Sequence, residues 1–431
     1  MTPADFLSDR RRFMVGAVAV VGSLEMGCSK QEPDVIPSSS PRNDVPLRVL
    51  AVVEKDDDNV ITRGWQAVSE QEIQIDVLAL SRADPASLAD AVLAGAKKAD
   101  VVIYPLVLVG EVSRAEAVVE MTADEVKRIE VGVGSLLPAA RNGAARYGGA
   151  VYALPLGCAL PAVVAQSKVD PLETWEDYDR VVKIQWEGSA AEPTAAGWAG
   201  TMFLWRCSGI KDWLFDRKDL KPLVNTEPYV NSLELMVRTN DRYLKKDQTP
   251  DQIWTMVGEG QLQGGIGFPA RRSLGTANVN VSALPGVVNL SKVVLDPFSP
   301  VVSLSASCRQ TTASRRFIEW LCGGEGSRAV RGQVAGMTDL RSVESATGAS
   351  ASYDDWLANQ LQAPLTAACP QLNDAPDYLI ALDQEVRSAL AGEVTAQKAL
   401  DQVAEQWAEL TAAAGMDKQI QAWRMAQGMR S

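Results

Sequence analysis

Residues 146–182 read RYGGAVYALPLGCALPAVVAQSKVDPLETWEDYDRVV, and this stretch decides the fold. A Gly148-Gly149 turn precedes a short apolar strand, Val151 to Leu156, and a second apolar run follows from Ala159 to Ala165. Pro171 marks a turn, and Thr174 opens a helix. Thr174 and Asp177 have capping-box spacing, in which hydroxyl and carboxylate each satisfy a backbone N–H left free at a helix start. Two apolar strands meeting at Pro155–Gly157 ahead of a capped helix mark a place where the chain leaves one packed unit and enters another.

Outward from that junction, the chain has ample length for more than one core. Its 431 residues correspond to roughly two to three domains. Hydrophobic residues make up 46% and charged residues 22%, an ordinary globular balance. The formal charge of −12, with Lys and Arg dispersed beyond the N-terminus, argues against nucleic-acid binding, which needs a basic footprint. The chain contains no histidine. That excludes Ser-His-Asp and Cys-His catalysis, and any His-ligated metal, from this chain alone. Carboxylate-pair chemistry and binding without chemistry both survive.

The N-terminus carries a targeting pattern. Arg10-Arg11-Arg12-Phe13-Met14 precedes an apolar stretch from Val15 to Leu24, too short to span a bilayer and suited to a signal-peptide core. The arginines before Phe13 resemble a twin-arginine export signal. Leu24-Glu25-Met26-Gly27-Cys28 resembles a lipobox that would make Cys28 the lipidated anchor, with Glu25 standing where an apolar residue is usual. Ser29 to Pro46 is Pro/Ser-rich and non-periodic, the composition of a tether. Residues 1–28 are thus expected to be the export signal and 29–46 the tether. The remaining cysteines, Cys158, Cys207, Cys308, Cys322 and Cys369, form no CxxC pair, and their spacing assigns no disulfide partners.

The folded part starts with an alternation of strand and helix. Arg48 to Val53 is a strand, Ile61 to Ser69 a helix, Ile73 to Val77 a strand, Pro85 to Ala96 a helix and Ala99 to Tyr104 a strand. Such alternation with apolar strands predicts a parallel sheet covered on both faces. Ligands in sheets of this kind bind at the carboxyl ends of strands, which selects Glu54 to Asp58 and Tyr104-Pro105. Further helices are expected over Ala195 to Gly209, Asn231 to Leu244, Ser314 to Cys322, Ala375 to Leu390 and Thr395 to Leu410. Thr249-Pro250-Asp251-Gln252 supplies a complete helix start. Short strands are expected at Gly264 to Ala270, Val279 to Leu284 and Val301 to Ala306.

Six short stretches, in order, resemble the bacterial extracellular solute-binding proteins of the maltose-binding type, the substrate receptors of ABC importers. They are Tyr147 to Pro155 (YGGAVYALP), Thr174 to Tyr178 (TWEDY), Ile266 to Pro269 (IGFP), Leu284-Pro285-Gly286, Phe317 to Leu321 (FIEWL), and Ala391 to Glu393 with Ala399 to Asp401. The resemblance spans nearly the whole mature chain. It implies an α/β fold of two lobes joined by hinge crossings and closing on a solute in the cleft between them. It would place Leu47 to Gly157 and Leu284 to Thr338 in the first lobe, and Cys158 to Ala283 and Asp339 to Ser431 in the second.

Carried over position by position, the resemblance names ligand candidates: Glu54, Lys55 and Asp56 in the first loop, Tyr104, Trp198, Phe268, Arg271 and Tyr378. An aromatic ring stacks on a sugar, and an arginine fork clamps a carboxylate or hydroxyls. Several also have a plainer reading: a solvated charge run for residues 54–56, core packing for Trp198, an exposed pair for Arg271-Arg272 and a helix staple for Tyr378. Trp205 is expected in the core. Asp56 to Asp58 lack EF-hand spacing, so no metal site is expected, and no cofactor.

The function this implies is an exported, non-enzymatic receptor, periplasmic or cell-surface, for a small-molecule solute. The solute would be a sugar or oligosaccharide, and the monomeric receptor would deliver it to an ABC permease. Two alternatives stay open. A histidine-free polysaccharide-active enzyme would use two carboxylates across the cleft, although no pair stands out. A lipoprotein of the same fold would bind a protein partner instead.

Overall fold

The computed structural model describes residues 45–53, 57–85, 87–133, 136–144, 146–157, 159–210, 213–269, 279–286, 292–293, 295–323, 351–363, 365–366 and 371–429. Cys28, Glu54, Lys55, Asp56, Cys158, Arg271, Thr338 and Cys369 lie outside the described residues. All that follows belongs to one unit, Pro41–Ser431.

The first sheet begins with β1 (Leu47–Val53), followed by α1 (Asp57–Gln66), β2 (Ile73–Ala79), α2 (Leu88–Ala96) and β3 (Val101–Pro105). β1 lies between β2 and β3 and is parallel to both. Its run LRVLAVV is almost wholly buried, as a strand covered on both faces requires. From α1, Ile61 and Trp65 turn into the core, where the Trp65 ring meets Phe317 edge-on at 5.2 Å between centroids. The Trp65 indole N–H donates to the Gln71 carbonyl at 3.0 Å, so this large ring is buried with its polar atom satisfied.

The chain continues through α3 (Val109–Arg114), α4 (Ala123–Val133) and α5 (Pro138–Gly143) to the hairpin β4 (Arg146–Tyr147) and β5 (Ala150–Val151), and then β6 (Leu154–Pro155). The stretch Val151 to Leu156 is therefore split between two short strands. Gly148 and Gly149 turn the hairpin at φ +58° and +80°, values costly for other residues. β6 joins the first sheet through the later strand Pro300–Leu304, giving the order β2, β1, β3, Pro300–Leu304, β6. That later strand runs antiparallel to both neighbours. The first sheet is thus mixed, not wholly parallel as the strand–helix alternation predicts. Pro300–Leu304 follows strands that lie outside the first sheet, and so is free of the parallel constraint of a βαβ unit.

Within six residues of β6 the chain enters a second sheet. It is built from β7 (Ala162–Ala165), α6 (Trp175–Ile184), β8 (Ala190–Ala191), α7 (Ala199–Arg206), α8 (Glu227–Asn240), α9 (Pro250–Gly258), β9 (Gly264–Gly267) and β10 (Asn280–Ser282). The strand order is β10, β7, β9, β8. Both anticipated capping boxes form: Thr174 with Asp177 at α6, and Thr249 with Gln252 at α9. The glycines of β9 let neighbours press close, since a Cβ on Gly265 would sit 2.4 Å from the Ala191 carbonyl oxygen.

The helix Thr311–Gly323 covers the first sheet with Phe317, Ile318 and Leu321. The helices Ala375–Leu390 and Ala396–Ala414 pack on each other and on α7 and α8, burying Leu382, Val386, Leu400, Val403 and Trp407. The last helix, Met416–Ala426, returns to the hairpin of the first lobe, where Gly148 N–H donates to the Met425 carbonyl at 2.9 Å. Among the described residues no helix is long and apolar enough to cross a membrane. The result is an α/β molecule of two lobes, each with its own sheet.

Candidate functional site

Because β1, β2 and β3 are parallel, their carboxyl ends share one edge of the first sheet. Arg82 stands in the loop after β2 at that edge. Pro300–Leu304 runs the opposite way, so its approach, Asp296 to Ser299, reaches the same edge. Hydrogen bonds from Leu106 N–H to the Ser299 carbonyl (2.9 Å) and from Val107 N–H to the Pro297 carbonyl (2.8 Å) fix that approach. In the second lobe β8 and β9 are parallel, and Phe268 follows the carboxyl end of β9 directly. Trp198 lies on the segment from β8 to α7. Carboxyl-end edges are where open α/β sheets take ligands.

The two edges meet at Arg82 and Trp198. The Arg82 guanidinium carbon lies 3.6 Å from the Trp198 ring centroid and 4.6 Å from that of Phe298, so the cation is sandwiched between rings of the two lobes. One guanidinium nitrogen, Nη2, donates to the Asp296 carboxylate in an ion pair whose side chains are 15% and 7% exposed. The other, Nη1, is buried and has no hydrogen-bond partner among the described residues. Trp198 continues into an aromatic group, with Phe268 at 5.9 Å and Trp205 at 6.1 Å between centroids. The Trp205 Nε1 is likewise buried without a partner among the described residues.

Backbone contact accompanies the ring contact. Gly197 has φ +81°, and a Cβ there would lie 2.5 Å from the Arg82 carbonyl carbon. The segment is anchored from behind by Asp383, whose carboxylate accepts from Gly197 N–H (2.9 Å) and Gly200 N–H (3.0 Å). Burial pushes the Asp383 pKa above the ordinary carboxylate value, with those backbone donors opposing it.

Behind this surface the second lobe holds a buried ionic group. Arg206 and Glu192 pair through Nε at 3.0 Å and through a second bond from Nη2, and both side chains are essentially inaccessible. Tyr243 donates its hydroxyl to Glu192 at 2.6 Å, and the Arg206 guanidinium lies 4.4 Å from the Trp175 ring centroid. Burial, reinforced by the Glu192 charge, holds the Tyr178 and Tyr243 hydroxyls protonated far above the usual tyrosine range.

The structure brings two sequence candidates together, Trp198 and Phe268, both partly exposed. Two others are enclosed. Tyr104 is fully buried in β3 with its hydroxyl 2.9 Å from the Ser303 hydroxyl, so neither ring face is open to a solute. Burial raises its pKa well beyond the tyrosine range. Tyr378 is fully buried under Trp407, with its hydroxyl 2.9 Å from the Thr411 hydroxyl and accepting from Gln419 at 3.2 Å. Trp205 is in the core, as expected. Glu54, Lys55, Asp56 and Arg271 lie outside the described residues.

Sequence reasoning missed Arg82, Asp296 and Phe298. The rule that selected the loops after β1 and β3 applies equally to the loop after β2 and would have reached Arg82. Among the described residues no group of carboxylates and thiols is arranged to hold a metal.

Neither a protein-family model nor a curated protein matches the sequence. Solved structures do match in three dimensions. An ABC-transporter solute-binding protein from Agrobacterium radiobacter K84, solved with ribitol, superposes with a TM-score of 0.68 at 16% identity, covering 86% of this chain and all of that one. The MalE3 protein of T. maritima, solved with maltose, gives 0.65 at 15% identity over 85% and 99%. A solute-binding protein from Agrobacterium vitis S4, solved with D-mannitol, gives 0.65 at 16% identity over 86% and 99%. The chain therefore has the two-lobe fold of the periplasmic solute-binding proteins of ABC transporters, of the maltose-binding type.

Proposed function

We propose that this chain is an exported receptor that binds a sugar or polyol between its lobes and hands it to an ABC permease. The observation that carries the reading is the meeting of Arg82 with Trp198, whose ring continues to Phe268, at the carboxyl-end edges of both sheets. An aromatic surface next to a buried, partly unsatisfied donor is the chemistry that grips a ring or chain of hydroxyl-bearing carbons. The ribitol, mannitol and maltose complexes of similarly folded proteins support the same solute class.

In this reading the chain is a binder, not an enzyme, and works as a monomer. Residues 47–157 and 284–338 form the first lobe, and 158–283 and 339–431 the second. Residues 1–28 direct export and 29–46 tether the receptor, with Cys28 as the lipid anchor. Binding drives closure because the closed form offers contacts from both lobes and the open form only from one.

The test is a thermal-shift and tryptophan-fluorescence screen against alditols, monosaccharides and oligosaccharides. With 11 tryptophans, Trp198 among them at the lobe contact and Trp205 beside it, a bound solute should change emission. At a hundredfold excess over Kd it should add about 2.7 kcal/mol of stability. A panel that produces neither change, together with turnover of a glycan, would replace the receptor by an enzyme.

A further inference from the structure

Arg82 is an unusual occupant for the face of a tryptophan that would otherwise be free for a sugar ring. Its guanidinium covers the side of Trp198 that faces the first lobe, and its other side lies against Phe298. A ring stacked on Trp198 from that side would have to displace an arginine that is also ion-paired to Asp296. An extended oligosaccharide draws affinity from successive open aromatic faces, and here two such faces are already taken.

The charge balance points the same way. Arg82 alone would favour an anion, but Asp296 neutralises it, and both side chains are largely buried. An anionic solute would bring an uncompensated charge against a neutral pair in a site with little water, which is strongly disfavoured. A hydroxyl group meets no such cost. Its oxygen can accept from Arg82 Nη1, which has no partner among the described residues, while its proton is free to reach a carboxylate oxygen. Such a donor asks for a neutral acceptor oxygen, since leaving a buried N–H unpaired is costly.

We propose that Arg82, held by Asp296 and covering Trp198, is the specificity-determining residue of the cleft. It selects a compact, uncharged polyhydroxy solute, an alditol or monosaccharide, over both oligosaccharides and sugar acids. The inference rests on the receptor reading above and narrows its substrate class.

The experiment is calorimetric titration of the purified chain with D-mannitol, D-glucose, gluconate and maltotriose, repeated on Arg82→Ala and Arg82→Lys. Wild type should bind D-mannitol or D-glucose at least tenfold more tightly than gluconate or maltotriose. Arg82→Ala should weaken that preferred probe at least tenfold and, by uncovering Trp198, narrow the gap to maltotriose. Arg82→Lys keeps the charge without the flat fork and should recover only part of the loss, with a melting temperature near wild type showing that the variant is folded. Tighter wild-type binding of maltotriose or gluconate would overturn the proposal while leaving a receptor. So would an Arg82→Ala affinity for the preferred probe within twofold of wild type. If none of the four probes binds, the inference falls, while the receptor reading is decided separately by the broader solute panel and the glycan-turnover assay.

Discussion

The Arg82 guanidinium carbon sits 3.6 Å from the centroid of the Trp198 ring, and these two residues stand on connections that leave strands of different sheets. The contact is therefore between lobes, and its energy bears on how tightly the cleft closes. A cation over an aromatic face contributes about 0.5 kcal/mol when exposed and about 2 kcal/mol or more when desolvated. A double-mutant cycle with Arg82→Met and Trp198→Leu, read by urea unfolding, should give a coupling energy in that range. A coupling within the usual additivity error of about 0.3–0.5 kcal/mol would show that the rings touch without holding the lobes.

Gly197 makes the same contact testable through the backbone. An alanine there would need a left-handed φ of +81° and would place its Cβ 2.5 Å from the Arg82 carbonyl carbon. The conformational cost alone is about 1–2 kcal/mol. The clash exists only while the lobes touch, so opening relieves it. Gly197→Ala should show a larger radius of gyration by small-angle scattering than wild type, with far-UV circular dichroism unchanged. Loss of secondary structure instead would mean that Gly197 serves folding of the segment before α7.

What was legible in the sequence was what short-range chemistry decides. The capping boxes at Thr174 and Thr249 place α6 and α9 because donor and acceptor are three residues apart. The apolar faces of Ala375–Leu390 and Ala396–Ala414 follow from helical period. The site was harder. Arg82 and Asp296 are 214 residues apart, and nothing in either local pattern announces the other. Tyr104 and Trp198 are both aromatic residues beside strand ends, yet one is sealed under Ser303 and the other faces the opposite lobe. That difference depends on which strand lies alongside, and the antiparallel direction of Pro300–Leu304, a strand expected from its sequence, is what strand–helix alternation failed to anticipate.

Acid should weaken the first lobe through Asp100. Burial would raise its carboxyl pKa, but bonds from the Arg48 guanidinium (2.8 and 3.0 Å), the Arg309 N–H (2.8 Å) and the Arg48 N–H (3.1 Å) outweigh it and hold the pKa below the usual carboxylate value. A carboxylate depressed in the folded state contributes stability above its unfolded pKa, about 3.9, and loses it as pH falls through the folded value. Stability measured by urea melts should therefore decline below about pH 4. Asp100→Asn should cost about 1.5–3 kcal/mol at pH 7, because bonds to a charged acceptor are replaced by bonds to a neutral one. The variant should lose less than wild type between pH 4 and pH 2. Parallel acid limbs would assign the pH dependence to other carboxylates.

Glu192 offers the severest test of the second lobe. It anchors a buried arginine: Arg206 donates to it through Nε at 3.0 Å and through Nη2, and Tyr243 adds a hydroxyl at 2.6 Å. Arg206 carries its charge at any accessible pH, and its pairing with Glu192 outweighs the burial that would lower its pKa. Glu192→Ala leaves that charge buried with no counter-ion, which costs about 3–5 kcal/mol. Tyr243→Phe removes one hydrogen bond to a charged acceptor and should cost about 1.5–3 kcal/mol. A paired replacement, Glu192→Leu with Arg206→Met, takes away both charges together and keeps apolar volume under Trp175. It should recover most of the Glu192→Ala loss, because the penalty lies in the unpaired charge and not in the missing bond. Equilibrium unfolding of the three variants orders them as Glu192→Ala, then Tyr243→Phe, then the paired replacement, from least to most stable. A paired replacement as unstable as Glu192→Ala would mean that the Glu192 hydrogen bonds to Tyr243 and Arg206 position the segment from β8 to α7, and with it Trp198.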